Sequence, residues 1–147
     1  MLRQKINVPA TAPAMEAILE GLVRLNQVAL RAAKLRGKPF PNLYGSGVKY
    51  DTKVGFTQWM TAAEILAAKA GICSGLSAWR AAELREQGRP ARVIVRPSLS
   101  GMPGRWHAMV LRDIGIEDPS YRTGMKINNV ARAKLVNAKL LRNRRGR

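Results

Sequence analysis

The sequence predicts an α+β fold in which helices precede a small antiparallel sheet. Apolar residues recur at helical spacing from Thr11 to Gly37 and in two later segments before Gly88, whereas short alternating runs follow up to Glu117. A length of 147 residues suits one domain, and a hydrophobic fraction of 46% is sufficient for a core. The chain has no apolar run long enough to cross a bilayer and no signal-peptide centre. We therefore expect a cytoplasmic protein without a membrane partner.

The first predicted helix follows an N-terminal arm over residues 1–10. Thr11 can cap its start, Pro13 lies in its first turn, and Gly37 ends it. Asn26 is the one polar interruption of its apolar stripe. The stripe comprises Met15, Ile18, Leu19, Leu22, Ala29, Leu30 and Ala33.

Two shorter helices are predicted after a loop over residues 38–56, which is rich in turn-forming residues and has one short extended piece at 48–50. Thr61 and Glu64 form the T-x-x-E capping arrangement at the start of the second helix, and Gly71 is expected at its close. The third helix is expected over residues 73–87, with Gly88 stopping it.

Three strands are predicted over residues 91–96, 106–112 and 114–117, with Asp113 and Gly115 making the last turn. These elements place a single domain at residues 11–123. Residues 124–147 are expected to form a basic C-terminal helix and tail. The apolar stripe of that helix would be Ile127, Val130, Ala131, Leu135, Ala138 and Leu141.

Positive charge is distributed unevenly along the chain. The 26 Lys and Arg against 9 Asp and Glu give a net charge of +17. Residues 124–147 carry 8 basic and no acidic residues, which leaves 18 basic and 9 acidic residues in the body. This surplus predicts a salt-sensitive attraction to an anionic partner without naming it.

The chain has one cysteine and one histidine, so a nucleophile and general-base pair must be Cys73 and His107. The same count excludes an intrachain disulfide and a Cys/His zinc site, and we expect neither metal nor cofactor. Cys73 begins a predicted helix, whose free N–H groups favour a thiolate. Pairing of the last two strands would bring Asp118 to the same face as His107. The ordinary alternative is a buried apolar cysteine and a packed histidine.

The residues around these three positions follow a recognisable order over residues 70–125. The matching positions are Gly71 and Cys73, then Leu84, Arg85, Gly88, Pro90, Ala91 and Arg92, then His107, Ala108 and Val110, then Asp118, Pro119 and Ser120. This order resembles the transglutaminase-like branch of the papain-like cysteine enzymes. The phrases LYGSGVKY, SAWRAAELREQG and EDPSYRTGM further resemble small bacteriophage-encoded members.

The resemblance implies a papain-like core, with a nucleophile helix packed on the sheet, and acyl transfer from a protein or peptide substrate. Cys73 would attack an amide carbonyl, His107 would carry the proton, and Asp118 would orient His107. Water as acceptor would make a peptidase or amidase, and an amine would make a transglutaminase. Ile72 stands where relatives have Val or Asp, and Met109 where they have Trp, which bears on substrate choice.

Other residues offer alternatives within this site. Gln58, Trp59 and Tyr44 are candidate oxyanion or substrate-contacting residues, although Trp59 is more typical of a core position. Glu117 is a second possible partner for His107, but strand alternation points it to the opposite face from Asp118.

A competing function starts from the basic tail. Lys134, Lys139, Arg142, Arg144, Arg145 and Arg147 are candidate anion-binding residues, or else a solvated helix face. The segment has no aromatic residues, so nucleic-acid binding would be electrostatic and independent of sequence. The alternative is a virion or assembly protein, in the host cytoplasm or the virion, that docks on DNA or other virion proteins with an idle triad.

Overall fold

A small antiparallel sheet covered by helices confirms the predicted α+β class. The computed structural model describes residues 11–54, 59–97 and 106–126. Within them lie α1 (Ala12–Leu35), β1 (Lys49–Tyr50), α2 (Ala62–Ala68), β2 (Ala70–Gly71), α3 (Cys73–Glu86), β3 (Ala91–Pro97), β4 (Trp106–Arg112), β5 (Gly115–Glu117) and α4 (Pro119–Arg122). The N-terminal arm, Gln58 and the predicted C-terminal helix and tail lie outside the described residues, apart from the first three positions of the basic segment.

Helix α1 begins and ends as its sequence predicts. The Thr11 hydroxyl accepts a hydrogen bond from the Ala14 amide at 3.4 Å, and Leu19, Leu22 and Val23 are buried. Asn26 is also fully buried, and its Oδ1 accepts a hydrogen bond from the Ala62 amide at 2.9 Å. The polar interruption of the stripe is therefore a tie between α1 and the start of α2.

The segment before α3 departs from the prediction at one point. The Thr61–Glu64 capping box is present, but α2 ends at Ala68 with Lys69 in the left-handed conformation, φ 57°, and does not continue to Gly71. Gly71 instead belongs to β2, which pairs in parallel with β1. A Cβ at this position would lie 3.1 Å from Leu76 Cδ2, so glycine allows the chain to pass close to α3.

The sheet has the order β3-β4-β5, and both strand pairs are antiparallel. Its strands match the three predicted ones to within one residue, since β3 extends to Pro97 and β5 begins at Gly115. One sheet face joins a core that includes Val93, Val110 and residues of α1 and α3.

Helix α3 is central to the packing. Its residues Ala78 and Ala82 belong to the core against α1 and the sheet, whereas Leu76 and Trp79 belong to a second core with Leu43. Contact on both sides explains why most residues of α3 are buried. In the ranges described above, we find no helix with the length and apolar character needed to cross a bilayer.

Candidate active site

Cys73 is the first residue of α3 and is half-buried. The residue before it, Ile72, has an extended backbone and provides no side-chain cap for the helix. The approach to Cys73 is fixed by β2, where the Gly71 carbonyl accepts a hydrogen bond from the Asp51 amide at 3.0 Å. The Ile72 side chain thus supplies no acceptor to the amides of the first turn of α3, and the positive end of the helix dipole favours an anion beside them.

His107 and Asp118 meet at the other side of this site. His107 is the second residue of β4, and Asp118 directly follows β5. Because Val110 pairs with Glu117, the next residue Asp118 points to the same sheet face as Met109 and His107. Nε2 of His107 lies 2.8 Å from Oδ2 of Asp118, as the hairpin predicted.

Cys73 is a neighbour of the same imidazole, since it is among the groups that raise the pKa of His107. Asp118 occupies Nε2, so a proton exchanged with Cys73 would pass through the other ring nitrogen, Nδ1. The structure therefore brings the three sequence-predicted residues into one chain of contacts, from sulfur to imidazole to carboxylate.

Asp118 uses its two carboxylate oxygens for different partners. Oδ1 accepts hydrogen bonds from the Ser120 and Tyr121 amides at 3.0 and 3.3 Å and so caps α4, while Oδ2 holds His107. Pro119 occupies the first turn of α4, where its missing N–H costs no hydrogen bond. The Asp-Pro-Ser sequence thereby fixes the orientation of the Asp118 carboxylate that contacts His107.

The pKa of His107 is strongly raised. Burial by itself disfavours the charged ring, but the hydrogen bonds to Asp118 and Cys73 and the charges of both groups outweigh burial and raise the pKa of His107 to about 10. With its side chain only 16% exposed, the imidazolium has little water to compete for its partners. This geometry stabilises an imidazolium beside the Asp118 carboxylate.

Glu117 lies in a separate buried charge cluster with Arg80, Arg112 and Tyr44. It accepts hydrogen bonds from Arg80 Nε at 2.6 Å, from the Tyr44 hydroxyl and from Arg112. Burial opposes its ionisation, yet these three donors hold the pKa of Glu117 below its ordinary value. Asp118, and not Glu117, is therefore the carboxylate that contacts His107.

The remaining candidates that the structure describes are Tyr44 and Trp59. Tyr44 donates its hydroxyl proton to Glu117 and stacks under Arg122, whose guanidinium carbon lies 3.8 Å from the ring centre. Its one proton is thus engaged, and Tyr44 is corrected from an oxyanion candidate to a member of the Glu117 cluster. Trp59 is half-buried and packs against the same core as Cys73.

The other predicted binding residues, Gln58, Lys134, Lys139, Arg142, Arg144, Arg145 and Arg147, lie outside the described residues.

Sequence reasoning missed two residues that link α3 to the sheet. Ser77 donates a hydrogen bond to the Ala108 carbonyl at 3.1 Å, and Arg80 binds Glu117. They lie four and seven residues after Cys73, so the three share one face of the helix. That spacing was a visible signal, because two polar residues on the same helix face as the cysteine indicate polar partners across the interface.

Comparisons of the chain with protein-family models, with curated proteins and with solved structures return no match. The transglutaminase-like resemblance therefore remains a prediction carried by the quoted residues.

Proposed function

We propose that this protein is a cysteine-dependent acyl-transfer enzyme that acts on amide bonds of a protein or peptide. The single observation that carries the proposal is the contact chain from Cys73 through His107 to Asp118. A cysteine, an imidazole and a carboxylate in this order form the standard machinery for activating a thiol. The proposal includes a papain-like, transglutaminase-like core, supported by the order of nucleophile helix, histidine strand and aspartate turn.

In the first half-reaction, the Cys73 thiolate attacks the amide carbonyl carbon, forming a C–S bond and moving the π electrons onto oxygen. The C–N bond then breaks as the carbonyl re-forms, and the leaving nitrogen takes a proton from the His107 imidazolium. The products are an acyl-thioester on Cys73, a free amine and a neutral His107. Asp118 keeps the ring oriented through Nε2 while the proton leaves from the side of the ring that faces Cys73.

In the second half-reaction, neutral His107 takes a proton from the acceptor as the acceptor attacks the thioester carbonyl. Water yields a carboxylic acid, so the enzyme is a peptidase or amidase, and a primary amine yields a new amide, so it is a transglutaminase. The developing oxyanion is stabilised by the amides that open α3, which lack a side-chain cap.

The single cysteine makes the first test direct, because all thiol labelling reports Cys73. We expect iodoacetamide at pH 6.5 to alkylate the folded chain at least tenfold faster than the urea-unfolded chain, since the proposal requires a thiol that His107 and the start of α3 activate. His107→Gln should remove the difference, whereas Asp113→Asn, an exposed carboxylate away from the triad, should retain it. Equal labelling of folded and unfolded chains would overturn the proposal.

A second assay distinguishes the two acceptors. A protein substrate is incubated with the enzyme and a fluorescent primary amine, and both amine incorporation and newly formed carboxyl groups are measured. Cys73→Ser should abolish whichever product forms, while Ser74→Ala, its neighbour on the helix, should preserve it. Product that persists in Cys73→Ser would assign the activity to another group.

A further inference from the structure

The outward side of α1 carries an exposed apolar stripe. Leu25, Val28 and Leu35 are 62%, 63% and 89% exposed. Together with Ala32 they follow the alternating spacing of three and four residues that forms the seam of a coiled coil. At 100° per residue, they lie on the side of α1 opposite the face that packs against α3.

This stripe gathers most of the exposed large apolar surface of the described residues. Ile114 and Tyr121 are the other two large apolar side chains that stand out as exposed there, and each lies on a different element. Single exposed apolar residues are ordinary, whereas several in line on one helix indicate an interaction surface.

The rim of the stripe is positively charged. Arg24 and Arg31, with side chains 76% and 64% exposed, lie seven residues apart beside the seam, where coiled coils place the charges that select a partner. Lys34 and Arg36 are exposed at the C-terminal end of the same helix region. Glu20 pairs with Arg24 through one N–H group, an exposed contact that is weak, whereas Glu86 binds Arg31 through two N–H groups.

We propose that this face of α1 binds an amphipathic helix of a partner protein whose apolar side chains are flanked by Glu or Asp. A second copy of the chain would bring the same Arg24 and Arg31 rim against itself. Residues 124–147 carry 8 basic and no acidic residues and would meet the same repulsion. Duplex DNA offers phosphates but no apolar ridge for Leu25 and Val28. The surface lies away from Cys73, so the proposal is independent of the enzymatic one.

The test uses two synthetic helical peptides and the full chain. Both peptides carry Leu at the seam positions of three heptads, and the flanking positions hold Glu in one and Lys in the other. Fluorescence anisotropy at physiological salt should show the Glu peptide binding at least tenfold more tightly. The affinity should be the same for Cys73→Ser, which separates this site from the catalytic proposal.

Two variants locate the site. Leu25→Gln combined with Val28→Gln should weaken binding of the Glu peptide at least tenfold, whereas Ile114→Gln, equally exposed elsewhere, should not change it. Arg24→Glu combined with Arg31→Glu should reverse the preference and favour the Lys peptide. Circular dichroism confirms that each variant is folded, as expected for exposed positions.

Four results would overturn the proposal. The first two are equal binding of the two peptides and no binding of either at high micromolar concentration. The third is binding of the Glu peptide that is unchanged when Leu25 and Val28 are replaced by Gln. The fourth is a charge-swapped variant, with Glu at positions 24 and 31, that still prefers the Glu peptide. Binding to phosphatidylserine vesicles without binding to the Glu peptide would assign the face to a membrane surface instead. Self-association in sedimentation that the Leu25 and Val28 variant abolishes would assign it to a second copy.

Discussion

The behaviour of His107 is set by two neighbours that differ in how easily they can be altered. Asp118 holds the ring through Oδ2 and caps α4 through Oδ1. Asparagine in its place keeps an oxygen that can cap the helix but removes the negative charge. Asp118→Asn therefore separates the electrostatic contribution of this residue from its contribution to local folding, which Asp118→Ala cannot do because it removes both.

We expect Asp118→Asn to lower the pKa of His107 substantially from about 10, because the charge and acceptor that favour the imidazolium are gone. The measurement is an NMR titration of the ring protons, which need no assignment because the chain has one histidine. Asp113→Asn, an exposed aspartate, should leave the midpoint near 10. A midpoint that is the same in wild type and Asp118→Asn would contradict the role given to the Asp118 charge.

The raised pKa of His107 also makes stability depend on pH. Below the unfolded pKa of about 6.5 both states hold the proton and the contribution of His107 is complete. Between there and about 10 only the folded state holds it, so the free energy of unfolding falls by up to about 1.4 kcal/mol per pH unit, and above about 10 the contribution is lost. Urea unfolding of wild type and His107→Gln between pH 6 and 10 should give a difference that shrinks as pH rises. A difference independent of pH would contradict this linkage.

Helix α3 is held against the sheet by three contacts that residues on one face of the helix make. Cys73 meets His107, Ser77 meets the carbonyl of Ala108, and Arg80 meets Glu117, the residue before Asp118. Each of the last two contacts lies beside a triad residue in sequence. The register of α3 on β4 and β5 is therefore fixed by the same face that carries the sulfur.

Two serines on α3 provide a matched test of these helix–sheet contacts. Ser77 is buried and bonded to Ala108, whereas the buried Ser74 hydroxyl has no hydrogen-bond partner in the structure described for this chain. Ser77→Ala should lower the free energy of unfolding by about 1 kcal/mol, because it leaves a buried carbonyl unpaired. Ser74→Ala should be neutral or stabilising. Urea denaturation of both variants compares them directly, and equal losses would contradict the assigned contact.

The elements that sequence predicted well are those with strong local signals. Thr11, the Thr61–Glu64 box and Gly88 fixed helix ends through hydrogen bonds that involve neighbouring residues only, and all three ends are found in place. The left-handed Lys69 and the parallel pair of β1 with β2 depend on contacts far apart in sequence, so no local pattern indicated them. The helix α4 was hidden because its four residues are too few to show a period.

In the candidate site, too, the features with local sequence signals could be predicted and those that depend on distant contacts could not. His107 and Asp118 were predictable because a hairpin joins them within 11 residues and alternation fixes their face. Tyr44 was misassigned because its partner, Glu117, is 73 residues away and belongs to another cluster. A sequence pattern can propose that a polar side chain has a partner, but packing of the whole chain decides which one.

Across the whole molecule, the acidic residues contact other groups of the same chain. All nine acidic residues lie within the described ranges, and each accepts a hydrogen bond or pairs with a base. Of these, Asp113 alone is classed as exposed. The net charge of +17 is therefore carried by Lys and Arg in excess of those that the nine carboxylates can balance.

The basic C-terminal segment adds to this field and permits a last prediction. Binding of the full chain to a 20-base-pair DNA duplex should weaken steeply between 50 and 200 mM salt, because association releases counterions from phosphates. Substituting Gln at Arg142, Arg144, Arg145 and Arg147 should reduce the slope of log K against log salt by up to about three to four if all four contact phosphate. The matched control removes four exposed charges from the body, at Arg36, Lys38, Lys49 and Lys53, and should change the slope less. Equal changes in the two variants would show that the whole basic surface attracts DNA and that the C-terminal segment has no special part in binding.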